Sequence, residues 1–86
     1  MAAMLITYDL SDEERENDLL DYLKGIGAEM ITESSYFVVT ETTADKIVTE
    51  IRSKTKDKIR VYVLGVTSWS GYGPQATNDL LKKALG

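Results

Sequence analysis

The sequence predicts an α+β fold, a four-stranded antiparallel sheet with two helices crossing one face. Three observations predict it. Short apolar, β-prone runs at residues 4–8, 28–32, 36–40 and 59–64 alternate with two stretches whose apolar residues recur at helical spacing. In the resulting order, β-α-β-β-α-β, the first and third strands are the most apolar while the second and fourth carry charge, which places them in the spatial order 4-1-3-2. Finally, 86 residues, 43% hydrophobic and 28% charged with one proline, suit a single domain over residues 1–86. Together these describe a ferredoxin-like sandwich extended by a short extra strand and a C-terminal helix.

Met4-Leu5-Ile6-Thr7-Tyr8 is nonpolar on both faces, as a central strand should be, and Asp9 closes it. Ser11 is the predicted N-cap of the first helix, with Glu14 three residues on as in a capping box and Asp12 and Glu13 complementing the first turn. That helix runs to about Lys24; Leu19, Leu20, Leu23 and Ile26 form its apolar stripe, and Gly25 and Gly27 stop it. Ala28 to Thr32 reads as a second strand, which Glu29 and Glu33 assign to an edge. After the turn Glu33-Ser34-Ser35, the run Tyr36-Phe37-Val38-Val39-Thr40 is the strongest strand of the chain. Thr42 or Thr43 caps a second helix in which Ala44, Ile47, Val48 and Ile51 repeat the i, i+3, i+4, i+7 pattern. Lys54 to Lys58 is read as a loop, and Ile59 to Leu64 as a fourth strand with Arg60, Tyr62 and Leu64 on one face. Gly65 permits a bulge before Val66-Thr67-Ser68-Trp69 continues extended. Ser70-Gly71-Tyr72-Gly73-Pro74 is a loop, and a last helix begins near Thr77 with Leu80, Leu81, Ala84 and Leu85 on its apolar side.

With no cysteine and no histidine, the chain has no disulfide, thiolate or imidazole metal ligand, cysteine nucleophile or Ser-His relay. No apolar run approaches the ~20 residues needed to span a bilayer, and the opening Met1-Ala2-Ala3 lacks a basic segment, so a cytoplasmic protein without membrane association is expected. Charge is divided unevenly. Residues 1–43 carry ten acids against Arg15 and Lys24, a balance of −8, while eight bases against four acids give residues 44–86 a balance of +4. Arg52, Lys54, Lys56, Lys58 and Arg60, opposed only by Asp57, form the one basic stretch that could grip phosphates. The plainer reading has Arg52 and Lys54 complementing a helix C-terminus and the others solvating a loop.

A chain this short buries only ~60–65% of the surface its unfolded form exposes, so its core is thin. With both helices on one face, the other face of the sheet stays apolar around Tyr62 and Leu64 unless the C-terminal helix folds over it or a second copy packs there; a twofold dimer is the expected solution. Three groups could carry chemistry. Asp9, with Ser11, Asp12 and Glu13, could hold a hard cation if two copies paired their Asp9 carboxylates, although acids at a helix start are ordinary dipole partners. Tyr8, Tyr36, Phe37 and Tyr62 could stack bases, but the glycine-flanked basic motif of RNA-recognition sheets is missing and packing is the simpler role. Trp69 to Pro74 has no phosphate-loop spacing, and Trp69 and Tyr72 are expected to anchor the C-terminal segment on their own chain or a partner's.

Leu5-Ile6-Thr7-Tyr8-Asp9-Leu10-Ser11-Asp12, followed by an amphipathic helix ending at Gly27, resembles the opening of the small CRISPR-associated ferredoxin-like proteins of spacer acquisition. Over most of residues 4–73 the chain is more closely similar to the SinR-like bacterial group and the VapD-type ribonuclease relatives of that superfamily. The similarity lies in Tyr8-Asp9-Leu10, in Glu33-Ser34-Ser35 leading into an apolar strand, and in the loop from Trp69 to Gly73. The resemblance implies a ferredoxin-like fold, a symmetric homodimer, a cross-interface role for Val66 to Trp69 and, in some members, metal-dependent cleavage of RNA or duplex DNA near the aspartate matching Asp9. Where the CRISPR-associated proteins carry arginines in the first helical turn, this chain has Glu13, Glu14, Arg15 and Glu16.

The preferred reading is a non-catalytic homodimeric scaffold or regulator without a cofactor, acting on an unidentified protein partner, with Tyr8, Tyr62, Leu64, Val66, Trp69 and Tyr72 at its interface. The alternative is a Mg²⁺- or Mn²⁺-dependent endonuclease in which paired Asp9 residues hold the metal, Ser11 helps orient it and the stretch from Arg52 to Arg60 guides nucleic acid.

Overall fold

Two nonpolar strands lie side by side at the centre of the sheet and the two charged strands flank them. In the computed structural model, which describes residues 2–86, the strands are β1 (Ala2–Leu10), β2 (Glu29–Thr32), β3 (Ser35–Thr40) and β4 (Ile59–Gly65). The helices are α1 (Glu16–Gly25), α2 (Ala44–Thr55) and α3 (Gln75–Leu85). The sheet order is β2-β3-β1-β4, all neighbours antiparallel, which is the predicted 4-1-3-2 arrangement read from the other edge.

Register divides the side chains into two faces. Met4 pairs with Val38, Ile6 with Tyr36 and Val63, and Tyr8 with Val61, so these residues share the face that α1 and α2 cover. There Ile6, Leu19, Leu23, Ile47 and Ile51 are fully buried. Tyr8 and Tyr36 stack with ring centroids 6.2 Å apart, on the border of this core. Ala3, Leu5, Thr7 and Asp9 point to the opposite face with Phe37, Val39, Arg60, Tyr62 and Leu64. The face of Tyr62 and Leu64 is thus shared by Ala3, Leu5, Thr7 and Asp9 rather than by Met4, Ile6 and Tyr8.

Several local details differ from expectation. The first helix is not capped by Ser11: Asp12 accepts from the Glu14 backbone N–H at 3.0 Å and starts a single 3-10 turn, Glu13–Arg15, ahead of α1. Ser11 instead bridges to the residue just before β4, its backbone N–H and its hydroxyl both donating to the Lys58 carbonyl, at 3.0 and 2.8 Å. Thr43 is the cap of α2, accepting from the Lys46 N–H at 3.2 Å. That helix continues through Thr55, fully buried with its hydroxyl donating to the Ile51 carbonyl, and ends at Lys56 and Asp57, both at positive φ (52° and 61°). Residues 66–69 are not a strand: one bond, from the Val66 N–H to the Ala3 carbonyl, continues the β1–β4 ladder before the chain leaves the sheet.

Candidate functional face of the sheet

The face of the sheet turned away from α1 and α2 carries most of the residues singled out from sequence. Its centre is Phe37, 2% exposed although it lies outside the main core cluster. Its cover is α3, which crosses obliquely: Ala76, Thr77 and Leu80 stand beside Glu29 and Met30, Leu81 beside Ile31 and Thr32, and Ala84 and Leu85 beside Ala3, Val39 and Gly65. The C-terminal helix thus folds back over part of the face within one chain. Beyond its reach, Tyr62 and Leu64 remain 62% and 47% exposed.

Asp9 is exposed near the end of β1 and is paired in register with Arg60, both side chains on this face. The Ser11–Lys58 bonds fasten the turn after Asp9 to the loop before Arg60, so the aspartate and the start of β4 belong to one rigid corner. Asp12 is engaged as a helix cap, and Arg15 lies 3.8 Å from Asp12 and 3.9 Å from Asp18. Arg15, the one cation in the acidic first turn, is therefore occupied locally. Among the described residues, no three acids converge as a metal-holding group. Asp9 supplies one carboxylate per chain, so a divalent ion at this position would need donors from a second copy or a substrate.

The basic stretch is dispersed. The Arg52 Nε donates to Asp57 at 2.8 Å; Lys54 borders a recess between the ends of the helices with Asp18, Asp21 and Tyr22; Arg60 sits on the opposite sheet face. Lys56 and Lys58 are exposed in the connecting turn. No single surface gathers all five. The interface residues predicted from sequence are also split: Tyr8 belongs to the helix-covered side, whereas Tyr62 and Leu64 lie on the other. Trp69 is half-buried against Gly71, while Tyr72 is fully exposed and anchors nothing on its own chain.

One residue escaped the sequence reading. Tyr22 packs against the core with its hydroxyl buried and unpartnered, and burial, followed by the nearby Glu50 carboxylate, pushes its pKa up. Its position three residues after Leu19 and four before Ile26 was the available signal. Phe37, for which packing was the simpler expected role, is buried opposite Leu5 on the face that α3 crosses. Burial also raises the pKa of Tyr8, with Tyr36, Glu16 and Glu33 adding in that order.

A four-stranded antiparallel sheet in this order, with both crossover helices on one face and a terminal helix on the other, defines a small ferredoxin-like α+β protein. The model of the family of CRISPR associated protein Cas2 matches residues 1–71, and the chain belongs to that family. The crystal structure of a hypothetical protein from Thermus thermophilus shares the fold: it is 18% identical, with a TM-score of 0.57, covering 85% of this chain and 94% of that one. No match is found among curated proteins. Among the described residues, no helix is long and apolar enough to cross a membrane.

Proposed function

We propose that this CRISPR-associated chain works as a non-catalytic homodimeric scaffold or regulator, using the second sheet face as its contact surface and acting in the cytoplasm. The observation that carries this reading is Tyr62 and Leu64, two large apolar side chains left 62% and 47% exposed on the outermost strand, on the same face as the covered Phe37 and separated from it by Leu5 of β1. A contiguous apolar patch at a sheet edge supports association. Asp9 supports it too. Its register partner across the ladder is Arg60, and a positive charge on the same face disfavours a bound divalent ion by like-charge repulsion.

The alternative, a Mg²⁺- or Mn²⁺-dependent endonuclease acting on RNA or duplex DNA, is favoured by the exposure of Asp9 at the end of β1 together with family membership. In that reading the metal would polarise a phosphate oxygen and activate water, Asp9 of two copies would hold it, and Lys58 and Arg60 would draw in the backbone.

Cleavage of labelled single-stranded RNA and duplex DNA with Mg²⁺, Mn²⁺ or EDTA, beside Asp9→Asn, tests both readings. The scaffold predicts either no cleavage or a residual cleavage that Asp9→Asn leaves unchanged. Metal-dependent cleavage lost in the variant establishes the nuclease. Sedimentation equilibrium on the same samples should find a species of twice the 9.6 kDa chain mass.

A further inference from the structure

We infer that α3 is a displaceable cover, holding within one chain part of the face that a second copy would occupy and so keeping association in check. The inference rests on the homodimer reading above and adds its regulation.

The seat of α3 is loose. No α3 residue is buried, although Leu80, Leu81 and Leu85 all face the sheet side. Open recesses of about 490, 350 and 180 Å³ lie along its contact with the sheet, lined respectively by Ala84 and Leu85, by Leu81, and by Leu80 together with their sheet neighbours. Its start has no side-chain cap, and among the described residues Asn78 ties the helix to the preceding loop, its side-chain amide donating to the Gly73 carbonyl at 3.3 Å and its backbone N–H to the Pro74 carbonyl at 3.2 Å. That loop, Ser70 to Pro74, is exposed throughout. A helix with few buried apolar contacts and one tether belongs to the low-stability end of a fold.

Surface area identifies the occupant. The chain exposes 5954 Å², whereas a monomer of 9.6 kDa typically exposes ~5,100 Å². The surplus, roughly 850 Å², is close to the ~800 Å² that one partner contributes to a standard stable interface. A second copy of this chain supplies that area symmetrically, and lifting α3 would add Phe37 to the exposed Tyr62, Leu64 and Val39 on a continuous apolar face.

The test uses full-length protein. In the wild type, native-state hydrogen exchange of α3 amides should run about 100-fold or more faster than in α1 and α2. Leu81→Ala/Leu85→Ala, and independently Lys82→Gly/Lys83→Gly, which lowers helicity at two exposed positions, should each tighten the dimer Kd by about tenfold in sedimentation equilibrium. Circular dichroism verifies that both variants fold. A Kd unchanged or weakened in both variants overturns the cover and leaves the dimer standing, as does α3 protection equal to that of α1. Absence of dimer in every protein up to about 1 mM overturns the dimer reading and the cover with it.

Discussion

On one face of the sheet, α1 and α2 bring Leu19, Leu23, Ile47 and Ile51 to zero exposure against Ile6; on the other, α3 has three leucines on its sheet side and fully buries none of them. Connectivity explains the difference. Helices α1 and α2 each join two strands of the sheet, so both ends are held at fixed positions, and they also pack on one another. Helix α3 follows β4 through a loop containing Gly71 and Gly73 and, among the described residues, does not connect two strands of the sheet. Its docking must repay the ordering of that loop as well as of the helix. The same amphipathic pattern therefore yields a core in one place and a lightly held cover in the other.

Truncation measures that contrast most directly. Leu23→Ala or Ile47→Ala should cost ~3–4 kcal/mol, because each empties a fully buried position. Leu81→Ala should cost about 1 kcal/mol or less, since it removes a partly exposed side chain beside space that already exists. Urea unfolding followed by circular dichroism checks both, and equal costs would erase the distinction between the faces. Phe37→Ala should fall between them, at about 2 kcal/mol, because α3 can settle into the vacated space.

A smaller effect is expected inside the well-packed half. Lys56 closes α2 in the left-handed conformation, which costs a side-chain-bearing residue ~1 kcal/mol, so Lys56→Gly should raise stability by about 0.5–1 kcal/mol. Loss of stability in that variant would mean the Lys56 side chain has a role the geometry does not reveal. The smallest effect comes from pH. Tyr8 and Tyr22 both have folded-state pKa values above the ordinary 10.0, so the folded chain holds their protons more tightly than the unfolded chain does. Their contribution is complete below pH 10.0 and is lost as pH rises through the folded values. Thermal unfolding followed from about pH 8 to pH 11 should show that decline, and Tyr22→Phe should flatten it.

Strand order was legible because apolarity on both faces marks β1 and β3 as central, and helix positions because Leu19, Leu23, Ile47 and Ile51 repeat at helical spacing. The cap was not: Ser11 and Asp12 are both good caps, and the choice is made by a bond to Lys58, a residue distant in the chain that no local pattern reveals. The stretch from Arg52 to Arg60 looks continuous in sequence, but it spans a helix end, a left-handed turn and a strand, which send its charges to different sides. Family membership was readable from Tyr8-Asp9-Leu10 and its neighbours. The extended continuation read at Val66 to Trp69 amounts to one bond, from the Val66 N–H to the Ala3 carbonyl, after which the chain turns off the sheet toward α3.

The clasp between Ser11 and Lys58 has a practical consequence for the corner that holds Asp9. Both bonds end on the Lys58 carbonyl, so the frame depends on the backbone at position 58 and is indifferent to the side chain attached there. Charges at that corner are exchangeable fittings on a fixed mount. Lysine at 58 can be neutralised or reversed without moving Asp9 or Arg60, and any resulting change in ligand affinity or association reports electrostatics alone.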